Sequence, residues 1–61
     1  MMDEMTINGF RKYVFCQQGR AFAKVTTMAR SEGEANRNFR YRGWIGYTML
    51  LSVAMANGIC Y

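Results

Sequence analysis

The chain has 61 residues, no histidine, no proline and two cysteines, and its formal net charge is +4. A chain of this length makes one domain and buries only about 60% of the surface its unfolded form exposes, so a partner subunit or a tightly bound partner is the expected source of extra stability. Two cysteines are too few for a disulfide scaffold, and without histidine the usual metal and general-base sets are missing.

The expected unit is therefore one domain over residues 1–61, with 1–8 as a mobile leader. Asp3 and Glu4 stand where a secretory signal would carry positive charge. The apolar stretch Trp44 to Ala56 is shorter than the roughly 20 residues a membrane helix needs. These features point to a reducing cytoplasm and away from a membrane. Cys16 and Cys60 fit either one disulfide or two buried thiols.

Phe10 to Gln18 reads as a strand, with Tyr13, Val14, Phe15 and Cys16 in a row. Gln18-Gly19 supplies a tight turn, and Ala21 to Ala29 is the second strand of a hairpin. With Gln18 and Gly19 as loop residues, Phe15 lies opposite Phe22, Tyr13 opposite Lys24, Cys16 opposite Ala21, Val14 opposite Ala23 and Lys12 opposite Val25. Strict alternation then sorts the side chains into two faces. Val14, Cys16, Ala21, Ala23 and Val25 form a small apolar face that a helix can approach closely. Arg11, Tyr13, Phe15, Phe22 and Lys24 form a mixed aromatic and basic face.

Ser31-Glu32-Gly33-Glu34 has the form of a capping box, in which the Ser31 hydroxyl accepts from the Glu34 amide and the Glu34 carboxylate reaches back to the Ser31 amide. The helix it opens runs from Glu32 to Arg42, acids first and arginines last, with Gly43 as its stop. Its apolar face is thin, Ala35 and Phe39 with Tyr41 at the flank, so the sheet must hold it. Beyond Gly43, the odd-numbered row Ile45, Tyr47, Met49, Leu51, Val53 and Met55 has the period of a strand. Asn57-Gly58 then reads as a hairpin turn leading into a short final strand, Ile59 to Tyr61. The expected fold is an α+β domain of order β-β-α-β(-β), a mostly antiparallel sheet with one helix on one face.

Catalysis needs a positioned acid, base, nucleophile or metal. Glu32 and Glu34 are accounted for by the helix start, Cys16 has no histidine partner, and no glycine run has a phosphate-loop pattern. The sequence therefore points to a binding protein with no enzymatic activity and no cofactor. Arg37, Arg40, Tyr41, Arg42 and Trp44 are the candidate partner-binding residues, since Arg, Tyr and Trp are enriched in interface hot spots. Arg11, Tyr13, Phe15, Phe22 and Lys24 are the candidate nucleic-acid face, similar in type to sheets on which RNA bases stack. The long apolar row suits a homodimer or partner interface.

The stretch Ala23 to Ala35, in which a strand ends in small residues, a serine opens a helix and an acidic pair precedes an alanine, resembles a pattern of small phage and plasmid accessory proteins. Some anti-CRISPR proteins are similar in size and in this layout. The resemblance implies a mobile-element inhibitor, in the cytoplasm of a host cell, that occupies a surface of a host protein or ribonucleoprotein complex. Nucleic-acid mimicry, common among such proteins, does not suit a basic chain. Two other readings are a direct RNA- or DNA-binding module and a small structural subunit of a larger assembly.

Overall fold

In the computed structural model residues 9–59 are described, and the leader, Cys60 and Tyr61 lie outside them. The elements in chain order are β1 (Arg11–Gln17), β2 (Arg20–Ala29), α1 (Glu32–Tyr41), β3 (Tyr47–Leu50) and α2 (Leu51–Ala56). The three strands form one antiparallel sheet of order β2-β1-β3. The domain is thus α+β, as its residue patterns predict.

The hairpin turns at Gln18-Gly19, where both residues take positive φ, 55° and 77°. This handedness matches the twist of the flanking strands. Gln17 pairs with Arg20, Cys16 with Ala21 and Phe15 with Phe22, as expected. The register then shifts between Val14 and Phe15: Val14 pairs with Thr26, Tyr13 with Thr27 and Lys12 with Met28. The expected Tyr13–Lys24, Val14–Ala23 and Lys12–Val25 pairs are therefore replaced. Ala23, Lys24 and Val25 form a bulged step in β2, which nothing in a simple alternation announces.

α1 runs from Glu32 to Tyr41 with Ser31 as its cap, the hydroxyl accepting from the Glu34 amide at 3.1 Å. The Glu34 carboxylate reaches one residue further back than a standard box, to the Arg30 amide at 3.0 Å. Replacing Ser31 with alanine removes the cap and is expected to cost about 1 kcal/mol, read as a lower midpoint in urea unfolding. At the other end Gly43, at φ 87°, donates to the Arg40 carbonyl at 3.0 Å, and the Trp44 amide donates to Phe39 at 2.9 Å. This is a Schellman motif, and it delivers Trp44 beside Phe39.

The chain after Gly43 departs from the long strand that the odd-numbered row predicts. Only Tyr47–Leu50 is strand; Leu51–Ala56 is a short helix. Leu51 and Ala54, three apart, turn inward, and Ala54 is fully buried. Asn57-Gly58 ends this helix instead of turning a hairpin. Gly58, at φ 69°, donates to Met55 and the Ile59 amide to Ala54, a second Schellman motif. Both uses of Asn-Gly exploit the same left-handed backbone, so the dipeptide alone does not choose between them. The proposed last strand survives in one contact, Ala21 donating to the Ile59 carbonyl at 2.9 Å; its Cys60 and Tyr61 lie outside the described residues, as does any Cys16–Cys60 bond.

The helices occupy opposite faces of the sheet, correcting the expectation of one helix on one face. The small face holds α2: Val14, Cys16, Ala21 and Ala54 are fully buried, with Met49, Leu51 and Ile59 packed against them. α1 lies on the other face, on Tyr13, Phe15, Ala29 and Leu50, through Ala35 and Phe39. β1 is consequently buried on both sides. Of the apolar row, Met49 and Leu51 are taken up by this packing, whereas Ile45, Tyr47, Val53 and Met55 remain exposed.

Thr48, opposite Phe15, is buried with its hydroxyl unpartnered. A buried polar group without a hydrogen bond costs about 1–3 kcal/mol. Thr48→Val, close in shape, is expected to raise stability by about 1 kcal/mol. A raised melting temperature checks this.

Candidate functional site: a groove between α1 and the approach to β3

Successive residues of a helix are 100° apart, and this spacing divides the side chains of α1. Ala35 and Phe39 point into the sheet. On the β2 side, Asn38 donates to the Thr27 hydroxyl at 3.2 Å, and Arg42 at the helix end donates to the Thr26 carbonyl at 3.0 Å. The Arg42 guanidinium also lies 5.3 Å from the centre of the Phe39 ring. On the opposite side Gly33, Asn36, Arg37 and Arg40 line a groove of about 340 Å³, closed by Phe39, Trp44, Gly46 and Tyr47.

Trp44 forms the groove's aromatic wall. Its ring packs 5.2 Å from Phe15, which also meets Phe39 at 5.5 Å in an edge-on contact. The indole is therefore anchored by the core, yet it remains 41% exposed. Gly46 lets the chain run close over β1: a β-carbon there would collide with the Cys16 carbonyl oxygen and stand 2.7 Å from two Phe15 ring carbons. The side-chain amide of Gln17 donates to the Ile45 carbonyl at 2.9 Å and fixes the same segment. Tyr47, paired with Cys16 at the start of β3, also lines the groove.

Arg37 and Arg40 give the groove its charge. The chain carries eight Lys and Arg against four acids, a net charge of +4, and among the described residues the acids are Glu32 and Glu34. Both acids belong to the first turn of α1, and the Glu34 carboxylate accepts from the Arg30 backbone amide. Among the described residues neither groove guanidinium has a carboxylate partner. Like charges at this helical spacing cost about 0.2–0.5 kcal/mol, although Arg40, in the last turn, recovers some of that from the helix dipole.

Of the predicted partner-binding residues, the structure gathers Arg37, Arg40 and Trp44 at the groove. Tyr41 lies outside it, 81% exposed, and Arg42 is drawn away to β2. Gly46 and Tyr47 belong to the groove but carried no signal as site residues, because their part depends on a crossing over β1 that is set by tertiary packing.

The predicted nucleic-acid face is corrected. Tyr13 and Phe15 are buried, 7% and 2% exposed, because α1 covers the face they share. Phe22 is half-buried and stacks on Phe15, 6.0 Å between ring centres. Arg11 and Lys24 remain exposed, but the aromatic surfaces between them are occupied by protein.

Among the described residues no helix is long and apolar enough to cross a membrane. No family model matches the chain, and neither the curated proteins nor the solved structures contain a match to it.

Proposed function

We propose that this chain is a binding protein without catalytic apparatus that occupies a surface of a host protein or ribonucleoprotein complex, in the manner of a small mobile-element inhibitor. The groove between α1 and β3 is its recognition surface. One observation carries this reading: Arg37 and Arg40, with no carboxylate partner among the described residues, line a groove beside an indole that packs on Phe15 and stays 41% exposed. Anchored aromatics and arginines are the groups that dominate protein interfaces. A rigid anchor also loses little conformational freedom on binding.

Direct nucleic-acid binding is the weaker reading, because α1 covers the aromatic rings such a face would use. A nucleic-acid binder releases counterions, and its affinity falls steeply with salt. Single-stranded RNA titrated over a salt series is expected to bind no tighter than about 1 μM at physiological salt, in the range of non-specific contact. In affinity capture from host extract, Arg40→Ala and Trp44→Ala are each expected to weaken partner binding by about tenfold or more, whereas Lys24→Ala leaves it near the parent level. Tight RNA binding, or equal losses in all three variants, would overturn this assignment.

A further inference from the structure

Resting on the groove as the recognition surface, we infer that it receives a single carboxylate-bearing side chain of a partner protein, seated on Arg37 and Arg40 with an adjoining apolar group against Trp44. The disposition of the cations supports one anion rather than a chain of them. A nucleic-acid backbone is followed by successive cations along a track. Here α1 breaks such a track: Arg42, which would extend it, is bound to the Thr26 carbonyl on the far side of the helix. Arg30 lies over the Phe10 ring, 4.8 Å from its centre. Two guanidiniums remain at the groove, three residues apart on one helix face, and they can offer forked donors to one carboxylate.

The groove's size and walls agree with this occupant. About 340 Å³ is at the small end of ligand sites, enough for an acidic side chain and one apolar neighbour. Phe39 and Trp44 supply an apolar wall, and Asn36 adds an amide beside the two cations. The chain, at a net charge of +4, would also draw an acidic partner and repel a second copy of itself.

The test is an NMR titration of the whole isotope-labelled chain with a blocked tripeptide carrying aspartate between two phenylalanines. Its asparagine counterpart and uridine monophosphate serve as comparisons. The aspartate peptide is expected to bind near about 1 mM, in keeping with a single anchored group. Its shifts should centre on Asn36, Arg37, Arg40, Gly46 and the Trp44 indole. The asparagine peptide should bind roughly tenfold more weakly, and Arg40→Gln should abolish the difference between the two. Equal binding of both peptides, absence of shifts at the groove, or tighter binding of uridine monophosphate would each overturn the inference. If partner capture still depends on Arg40 and Trp44 in that event, the recognition surface stands and only its carboxylate chemistry fails. If capture depends on neither, the functional reading fails as well.

Discussion

Replacing Phe39 with alanine is expected to cost about 4 kcal/mol and to lower the melting temperature by roughly 15–30 °C. Phe39 is 1% exposed and is the large apolar side chain that α1 puts into the sheet. Its ring meets Phe15 edge-on, and the Arg42 guanidinium lies over it. Ala35 alone would remain as the buried contact of a helix whose sequence is otherwise polar. At about 0.05–0.15 kcal/mol per residue, a chain this long has a total stability of only about 3–9 kcal/mol. The loss is therefore comparable with the whole. Circular dichroism over a thermal ramp checks it, and Phe39→Leu, which keeps an apolar group in place, should retain a cooperative transition.

Gly46→Ala is the second large effect, at about 3 kcal/mol. The added methyl meets the Cys16 backbone and the Phe15 ring, and neither can yield easily. The Cys16 carbonyl belongs to the central strand, and Phe15 is wedged among Phe22, Phe39 and Trp44. Relief requires lifting the segment between α1 and β3, which would open the groove as well. A lower unfolding midpoint together with a shifted Trp44 fluorescence maximum is the expected result. Gly33→Ala is the contrasting control, because the nearest atom to its added methyl is the Ser31 hydroxyl at 4.0 Å.

The parts of the fold legible in the sequence are those set by local chemistry. Gln18-Gly19 fixes the hairpin and its first three pairs, because turn geometry dictates register near the turn. Ser31, Glu34 and Gly43 mark the ends of α1, because end groups need partners wherever the helix packs. What was not legible depends on distant contacts. The alternation from Ile45 to Met55 suits a strand, but Ala54 and Ala56 favour helix and only burial against Val14 and Cys16 decides. The choice of face was likewise tertiary. The small side chains do admit a helix closely, but it is α2 that takes that face, leaving α1 to cover Tyr13 and Phe15.

The site was half legible for the same reason. Arg37, Arg40 and Trp44 were identifiable by residue type, and helical spacing puts the two arginines on one side of α1. Arg42 has the same chemistry, but its position rotates it toward β2 and the Thr26 carbonyl. Tyr41 suits an interface by type yet stands outside the groove. Residue type nominated the set, and geometry divided it.

The central claim is that Arg37 and Arg40 serve recognition rather than stability. The most direct measurement combines thermal unfolding with partner capture on the same preparation of the Arg37→Gln, Arg40→Gln double variant. Removing two like charges that have no carboxylate partner among the described residues should leave the melting temperature within about 2 °C of the parent, less than a 1 kcal/mol change would produce, while capture falls at least about tenfold. A melting temperature lower by many degrees with capture intact would contradict the account and make the two arginines part of the fold's support.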